Sequence, residues 1–386
     1  MGERRRAVEQ NTQWFETKVC DSSLSAYLKL PESDIIANLA AEQLAQESIR
    51  LRRQLETAAS TEGSRHQSRH LRITFCNHAL DARAGSELWT QDMAAFCLNQ
   101  GHEVAVYSPT LGPVAATISR RGALVTSSPE AVADFGSDIV HINHYRYAQP
   151  VLDAVAGSGV KIVNMIHGVL PRPGMPGTHG VDRYVAVSLA VKSKISLLTQ
   201  ADWADIAIVP NFFDEALFPH GGSRGRRERA LLFSSKAEPG QVSVLRETLD
   251  AVGYQLDHYG HAGAVVEKPQ DMLPSYDLVF AVGRSAIEAL ASGCKVILWD
   301  DGVIGPSIHA ENFWSCVTFN LALASKSLPH CFYDEPRAED WIRTQILAAN
   351  ELNGSTVPAA VRRFLTVKIV GRLLFDIYHD ALERLS

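Results

Sequence analysis

The stretch SYDLVFAVGRSAIEALASGCKVILWD, residues 275 to 300, decides the fold that the sequence predicts. Its first apolar run is typical of a buried strand ending near Val282, Gly283 permits a tight turn, and a helix is predicted to begin at Ser285. Backbone N–H groups and the positive end of the helix dipole then face the strand end, which suits a diphosphate. Glu288, on the first predicted turn, is placed to accept hydrogen bonds from ribose hydroxyls. Ser285 and Glu288 also match a capping box, which would stabilise the helix whatever it binds.

The same alternation of short apolar runs and helical segments extends through most of the chain in two sets. Such runs belong to parallel sheets covered on both faces. We therefore predict an α/β protein of two Rossmann-like doubly wound domains, with a ligand cleft between the carboxyl ends of their strands. The expected strands are LRITFC, EVAVYS, ALVT, DIVHI, KIVNMI, RYVAVS and IAIV in the first set, and ALLFS, the region around YQLDHYG, DLVFAV, KVILW and CVTF in the second.

The predicted domain boundaries follow changes in composition. The closing residues have an apolar pattern at helical spacing and predict one long amphipathic helix that crosses back to the first domain. The predicted parts are a helical extension and linker (1–70), a first domain on the acceptor side (71–212), a hinge rich in Gly, Pro and Arg (213–228), a second domain on the donor side (229–357) and the closing helix (358–386).

The N-terminal extension contains a segment rich in strong helix formers, residues 31–58. Leu44, Leu51 and Leu55 recur there at roughly heptad spacing. With only about two heptads, this pattern favours a helix docked on the body of the protein over a self-standing coiled coil. Self-association or partner docking through this helix stays open.

Composition excludes several classes of protein. The 386 residues, 46% of them hydrophobic, are enough for two domains with their own cores. A formal net charge of −6 gives no basic field for a polyanion, so nucleic acid is not an expected partner. Six cysteines without a CxxC pair favour a reduced, cytoplasmic compartment. No segment reaches the roughly 18 apolar residues of a spanning helix, so a soluble protein is expected. The hinge arginines are interpreted as a solvated run, with contact to a membrane surface or a polyanion as the sharper alternative: Arg224, Arg226, Arg227 and Arg229.

Six segments, taken in order, resemble the retaining glycosyltransferases of the GT-B fold and are close to glycosyltransferase family 4. Together they cover about residues 71 to 320. Each is weak alone, but six in the family's order are specific. The segments are GSELWTQDMAAFCLNQGHEVAVYSP (85–109), DIVHINH (138–144), KIVNMIHG (161–168), VDRYVAVS (181–188), VPNFFDEALFPH (209–220) and GRSAIEALASGCKVI (283–297).

The resemblance implies that a sugar moves from a nucleoside-diphosphate sugar to an acceptor hydroxyl with retention of the anomeric configuration. It implies that Glu288 binds the donor ribose, that the loop at Gly283 approaches the diphosphate, and that the loop at Gly85 faces the phosphates from the other domain. It places His167 near the donor sugar, where the ring bonds a hydroxyl or helps to hold developing charge. A structural histidine at a strand end is the plainer interpretation of His167.

Two departures from the family's pattern affect the donor site. Phe280 stands eight positions before Glu288, where the family usually has a first glutamate on the sugar hydroxyls. Of the family's arginine and lysine on the diphosphate, only Lys236 lies near the matching place, and Arg284 is the candidate for the missing charge. A solvated position is the alternative for both cations. The predicted site is therefore His167 and Lys236 as catalytic groups, with Gly85, Gly283, Arg284, Ser285 and Glu288 as donor-binding groups.

In the implied mechanism, the nucleoside diphosphate leaves and the acceptor hydroxyl attacks on the same face. Most of the rate enhancement must then come from electrostatic stabilisation of the leaving group and from orientation. The helix dipole and Lys236 would take the role of a divalent metal, so no obligatory cofactor or metal is expected beside a UDP- or GDP-sugar co-substrate. The acceptor stays open among carbohydrate, lipid-linked, protein and small-molecule hydroxyls. His141 and His144, three apart on a predicted strand, point to opposite faces and are not expected to share a metal ion.

Other functions compete with this one. A dehydrogenase is disfavoured because no GxGxxG follows a predicted strand. A sugar-nucleotide epimerase on the same fold needs acid and base groups flanking the sugar, and the sequence offers no clear pair. A non-catalytic glycosyltransferase-like subunit that acts through its N-terminal helix stays open because of Phe280.

Overall fold

The computed structural model describes residues 41–60, 69–169, 174–218, 228–260, 266–323, 328–352 and 356–384. These residues fall into two compact units. The first holds residues 69–208 and 376–384, and the second holds residues 42–60 and 209–375 with the gaps just given. The start of the predicted N-terminal helix, the linker at 61–68 and the predicted hinge arginines other than Arg229 lie outside the described residues.

The first unit is built on a seven-stranded parallel sheet of order β3-β2-β1-β4-β5-β6-β7. Its central strands are buried along almost their whole length, as expected when apolar side chains line both faces of a parallel sheet. The strands are β1 Arg72–Cys76, β2 Glu103–Tyr107, β3 Leu124–Thr126, β4 Ile139–Ile142, β5 Lys161–Ile166, β6 Arg183–Ala186 and β7 Ile206–Ile208. The helices between them are Gly85–Asn99, Pro113–Ser119, Pro129–Phe135, Tyr145–Ala154 and Leu189–Thr199, with a 3-10 turn at Trp203–Asp205.

The second unit is built on a six-stranded sheet of order β13-β12-β11-β10-β8-β9. Strands β8 to β11 pair in parallel, and β12 and β13 add to one edge in antiparallel fashion. The strands are β8 Arg229–Phe233, β9 Gln255–Tyr259, β10 Leu278–Ala281, β11 Lys295–Asp300, β12 Val303–Ser307 and β13 Cys331–Phe332. The helices are Pro239–Asp250, Pro269–Met272, Gly283–Ala291, Phe313–Thr318, Ala338–Leu352 and Thr356–Phe364, with a 3-10 turn at Leu273–Ser275. The two mostly parallel sheets confirm the predicted α/β class.

The helix Ala41–Ser60 packs within the second unit. Leu51 and Leu55, two of the three leucines at heptad spacing, are fully buried. The hydroxyl of Ser48 lies 3.0 Å from that of Thr318, and a hydrogen bond from Arg372 to the carbonyl of Ala58 adds a second polar contact. The buried leucines therefore dock this helix on the second unit.

The predicted strand CVTF is wrong, because residues 316–318 end the helix Phe313–Thr318. Phe313, Cys316 and Val317 are buried at helical spacing, which outweighs the β-branched character of the segment. The N–H of Leu321 donates to the carbonyl of Cys316 (2.7 Å) and closes the helix. Asn320 and Leu321 follow with φ of +57° and +50°, a left-handed pair in which neither residue is glycine.

The closing stretch forms two helices, Thr356–Phe364 and Val367–Glu383, in place of the single helix predicted. The break lies at Thr366, whose backbone forms a β-bridge with Phe213. The N–H of Val367 donates to the carbonyl of Phe213 at 2.8 Å. At the break, the backbone therefore bonds another segment of the chain. Within the described ranges, no helix combines the length and the apolar character that crossing a membrane requires.

Candidate functional site

The turn after β10, the central strand that lies between β8 and β11, is fixed by Gly283. Gly283 has φ of +57°, a left-handed conformation that favours glycine. A Cβ at this position would meet only the side-chain nitrogen of Asn211, at 3.8 Å, so space is open beside the turn. The N–H of Gly283 donates to the carbonyl of Leu321 at 2.8 Å. This N–H is therefore engaged by the protein, and an anion at the turn would meet the later N–H groups of the first helical turn.

The helix after this turn begins at Gly283, two residues earlier than predicted. Val282 is the N-cap residue and makes no side-chain capping hydrogen bond. Ser285 is therefore the third residue of the helix, so the predicted capping box with Glu288 is wrong. Glu288 lies on the second turn, not the first. The N–H of this first helical residue donates to Leu321, a partner that no local pattern could reveal.

Glu288 is held in place by Arg284, one turn earlier on the same helix. Arg284 Nε lies 2.7 Å from Glu288 Oε1, and the two side chains are only 15% and 8% exposed. The pair brings the two predicted donor-binding residues together and orients the carboxylate. The positive charge of Arg284 is thus matched by Glu288 before any phosphate is bound.

Lys236 lies at the carboxyl end of β8 and pairs with Asp300, the last residue of β11. Lys236 Nζ is 3.1 Å from Asp300 Oδ1; the lysine side chain is 55% exposed and the aspartate is buried. Both residues therefore lie at the carboxyl ends of parallel strands, as the Gly283 turn does. The sequence analysis missed Asp300, although a carboxylate that ends the apolar run KVILWD was a signal for it.

Phe280 lies inside β10 and packs in the core of the second unit, with its ring 6.2 Å from that of Trp299. It is fully buried. The residue that stands where the family has its first glutamate is therefore part of the core. Phe280 itself is therefore not placed to contact a ligand at the carboxyl end of the strand.

In the first unit, Gly85 begins the helix Gly85–Asn99, whose N-cap Ala84 makes no side-chain hydrogen bond. A Cβ on Gly85 would meet no atom within 4 Å, so packing does not demand glycine there. This helix carries Glu87, which lies 3.7 Å from His78, and Thr90, which bonds Asn143. Both face a histidine cluster at the carboxyl ends of β1, β4 and β5, which consists of His78, His141, His144 and His167.

The histidine cluster is organised by Asn143, which follows β4 and is buried. Its Oδ1 accepts from His167 Nε2 at 2.8 Å and from His141 Nε2 at 3.2 Å, and its Nδ2 donates to Thr90 Oγ1 at 2.9 Å. The hydroxyl of Tyr378 lies 2.9 Å from His141 Nδ1, so both ring nitrogens of His141 are satisfied. His141 is thereby a structural histidine. The sequence analysis singled out His167 but missed Asn143, the residue that orients it.

Burial keeps His141, His144 and His167 neutral. It lowers the pKa of His167 to about 3 and that of His141 to about 3. The pKa of His144 is lowered to about 2, first by burial and then by the neighbouring rings of His167 and His78. A neutral ring offers hydrogen bonds and no positive charge. Of the two roles considered for His167, bonding a hydroxyl is the one that its protonation state supports.

His144 lies beyond the end of β4 and is the N-cap residue of the helix Tyr145–Ala154. Its Nδ1 is 3.2 Å from Nδ1 of His78, which follows β1, whereas His141 contacts Tyr378. The two histidines of the HINH segment therefore serve different neighbours. Among the described residues, no group of three or more His, Cys, Asp or Glu side chains has the geometry of a metal site.

Lys194 is fully buried beneath the segment that follows His167. Its Nζ donates to the carbonyl of Gly168 at 3.2 Å and to that of Gly174 at 2.6 Å. Burial lowers the pKa of Lys194 to about 7. This lysine therefore holds the chain on both sides of residues 170–173, which lie outside the described ranges.

No family model matches the sequence, and no curated protein matches it. Solved structures do match. A glycosyltransferase from Rickettsia africae ESF-5 has a TM-score of 0.60 at 14% identity, covering 82% of this chain and 100% of that one. HepE from Anabaena, in complex with UDP, has a TM-score of 0.59 at 12% identity, covering 80% and 100%. Sucrose-phosphate synthase from Thermosynechococcus elongatus has a TM-score of 0.51 at 12% identity, covering 81% and 99%. At such low identity these similarities establish the fold, which is the GT-B fold of glycosyltransferases.

Proposed function

We propose that the protein transfers a sugar from a nucleoside-diphosphate sugar to an acceptor hydroxyl, with retention of the anomeric configuration, as a relative of glycosyltransferase family 4. The observation that carries the proposal is the buried carboxylate of Glu288, oriented by Arg284 on the helix that follows the central strand of the second sheet. A buried carboxylate on the helix that follows such a strand is suited to the two hydroxyls of a ribose.

The similarity to HepE supports the choice of nucleotide. HepE has been crystallised with UDP, with UDP and glucose, and with UDP-glucose. We therefore assign a UDP-sugar as the first donor to test and keep a GDP-sugar as the second.

The charges of the second unit suit a leaving diphosphate. The helix Gly283–Ala291 directs its positive end toward the space beside the Gly283 turn, and the N–H of Ser285 belongs to its first turn. Lys236 stands at the same sheet edge with more than half of its side chain exposed. We assign to these groups the stabilisation of the negative charge that develops as the bond to the sugar breaks, which is where such catalysis gains most of its rate.

The neutral ring of His167 is assigned to a sugar hydroxyl. The helix that begins at Gly85 contacts this ring through Trp89, whose ring centre lies 5.4 Å away. The acceptor hydroxyl attacks from the face that the diphosphate leaves, so its proton can pass to the departing phosphate oxygen. No separate activated nucleophile is required by this route, and the rate depends on how the acceptor is oriented.

The test of the proposal is binding followed by turnover. Thermal stabilisation of the full chain is measured with UDP, GDP, ADP and dTDP, and the expected result is a rise in Tm with one of the first two. Incubation with the matching sugar nucleotide should then release the nucleoside diphosphate, and NMR of the product should show the anomeric configuration of the donor. A chain that binds none of the four nucleotides contradicts the proposal, and an inverted product contradicts retention.

Phe280 favours one competing function, a non-catalytic subunit of the same fold. Phe280 stands where the family usually has a glutamate on the sugar hydroxyls, and its ring is buried in the core. The same experiment separates the two functions, because a binding subunit would be stabilised by the nucleotide without releasing it from any sugar nucleotide.

A further inference from the structure

The proton positions in the histidine cluster of the first unit follow from its hydrogen-bond network. Thr90 Oγ1 donates its only proton to the carbonyl of Ser86 at 2.8 Å. It must therefore accept from Nδ2 of Asn143 and from Nδ2 of Asn77, each at 2.9 Å. Both asparagine amides are oriented by these bonds, with their Oδ1 atoms turned toward the histidines.

The orientation of Asn143 determines the tautomer of His167. Because Asn143 Oδ1 is an acceptor only, His167 Nε2 carries the proton in their 2.8 Å bond. The ring is neutral, so its Nδ1 has a lone pair and can accept a hydrogen bond. Among the described residues, nothing donates to this Nδ1.

The orientation of Asn77 determines the tautomers of His78 and His144. Asn77 Oδ1 lies 3.0 Å from His78 Nδ1, which therefore carries a proton. The same Nδ1–H faces His144 Nδ1 at 3.2 Å, so that atom of His144 is an acceptor and the ring proton lies on Nε2. His144 is only 4% exposed, and its Nε2–H has no hydrogen-bond partner among the described residues.

We infer that His144 is a second ligand contact beside His167 and that the two rings hold one neutral sugar hydroxyl, which accepts from His144 Nε2 and donates to His167 Nδ1. This inference deepens the proposed function and rests on it. A hydroxyl oxygen that bonds two ring nitrogens at about 2.8 Å each, with a tetrahedral angle between the bonds, brings the ring centres to about 6.5 Å. The observed separation of the two ring centres is 6.2 Å, with an interplanar angle of 33°.

The pair distinguishes a hydroxyl from other polar groups. A hydroxyl is both donor and acceptor and so satisfies one lone pair and one N–H together, whereas a carboxylate or phosphate oxygen offers no proton to His167. Both rings stay neutral at physiological pH and provide no charge to attract an anion. The hydroxyl belongs either to the transferred sugar or to a sugar acceptor, and the two sources share this chemistry.

The first experiment reads the ring protons directly. Nitrogen-15 NMR of the histidine rings in the full chain should show His144 protonated at Nε2 and unprotonated at Nδ1, with the signal assigned by its loss in His144→Gln. A proton on Nδ1 of His144 overturns the inference whatever the protein binds. His102 is an internal control for the same tautomer, because its Nδ1 accepts from the N–H of Leu71. It precedes the amino end of β2, away from the cluster at the carboxyl ends of the strands.

The second experiment follows the same signals with ligands. UDP-glucose should shift the His144 Nε2 and His167 Nδ1 signals, and UDP alone should leave them unchanged. A response to methyl glucoside in the presence of UDP, with none to UDP-glucose, assigns the hydroxyl to the acceptor and supports the inference. If UDP binds and neither sugar moves the two signals, the inference fails while the proposed function stands; if neither UDP nor GDP binds, the proposed function fails.

Substitutions at His144 give the energetic test, because its side chain makes no capping bond to the helix that follows. In His144→Phe, the gain in affinity of UDP-glucose over UDP should fall at least fivefold, with UDP affinity unchanged within twofold. His144→Gln places an amide donor near the position of Nε2 and should retain most of this gain. An equal loss in both variants, or a larger loss for UDP-glucuronate than for UDP-glucose, contradicts a contact to a neutral hydroxyl.

Discussion

Arg284 and Glu288 form an ion pair of 2.7 Å whose two side chains are almost excluded from solvent. Burying two charges costs free energy that their attraction only partly offsets, so such a pair is weak evidence for a stabilising role. Its place on the helix after the central strand of the second sheet agrees instead with a carboxylate held ready for a ligand. Glu288 lies on the second turn of this helix, one turn later than the sequence predicts.

We expect Glu288→Gln to weaken the binding of UDP about tenfold, which is about 1.4 kcal/mol. The amide keeps the shape of the side chain and can still accept from Arg284, but it cannot hold two ribose hydroxyls as a carboxylate does. Isothermal titration of the folded variant measures the change. Glu335→Gln is the matched control, since it alters a glutamate paired with Arg337 at 2.8 Å elsewhere in the same unit. Unchanged affinity in Glu288→Gln would remove Glu288 from the binding site.

Lys236 and Asp300 predict opposite effects on the diphosphate. Lys236→Ala should reduce turnover at least tenfold by removing a positive charge near the leaving group. Asp300→Asn should preserve or raise the affinity for UDP, because the lysine then no longer shares its charge with a carboxylate. Because Lys236→Ala leaves the buried carboxylate of Asp300 without its cation, the Tm of this variant is measured beside its turnover. Steady-state rates and titrations with UDP check both variants, and a loss of affinity in Asp300→Asn would show that the aspartate positions the lysine.

The neutral histidines predict a loss of stability in acid. Burial lowers the pKa of His141 and His167 to about 3 and that of His144 to about 2, whereas an unfolded chain takes up these protons near pH 6.5. Their contribution is therefore constant above about pH 6.5, and stability falls as the pH drops from there toward 3, at up to about 1.4 kcal/mol per pH unit for each ring. Urea unfolding followed between pH 8 and 4 measures this slope. In His141→Phe the slope should be shallower by about one proton; the same slope would mean that His141 is not among the titrating groups.

Lys194 predicts a second pH dependence at higher pH. Burial lowers its pKa to about 7, and in the unfolded chain the amine titrates near 10.4. Between these values the unfolded state binds the extra proton, so the contribution of Lys194 to stability increases with pH from about 7 to about 10. In Lys194→Met this increase should vanish, and the loss of bonds to Gly168 and Gly174 should lower the stability at pH 9. Denaturant titrations of both chains from pH 7 to 9.5 decide the matter, and parallel curves would contradict the assignment.

The parts of the fold that the sequence predicts are those that depend on local patterns. Apolar runs such as DLVFAV and KIVNMI predict the buried strands because each strand of a parallel sheet needs apolar side chains on both faces. Gly283 is predicted as a turn because a left-handed residue at a strand end favours glycine. Two of the predictions that fail involve partners distant in sequence. The N–H of Gly283 at the start of its helix donates to Leu321, and Thr366 at the break in the closing stretch forms a bridge with Phe213.

The candidate site divides in the same way. His167, Lys236, Arg284 and Glu288 are legible as chemically capable residues near predicted strand ends. Their partners could not be predicted. The pairing of Lys236 with Asp300 joins residues 64 positions apart, and the bond between His167 and Asn143 joins the ends of two neighbouring strands. Which proton each imidazole carries depends on the whole network, including two asparagine orientations, and no single motif encodes it.

The absence of ionic charge from the ring pair of His144 and His167 has a consequence for the response to salt. Added electrolyte screens the attraction between a diphosphate and the lysine and arginine of the second unit, so the affinity for UDP should decline with ionic strength. The imidazoles carry no charge for electrolyte to screen. The ratio of the UDP-glucose affinities of the parent chain and of His144→Phe should therefore stay constant while both affinities fall, so the sugar contact can be separated from the diphosphate contacts by varying sodium chloride alone.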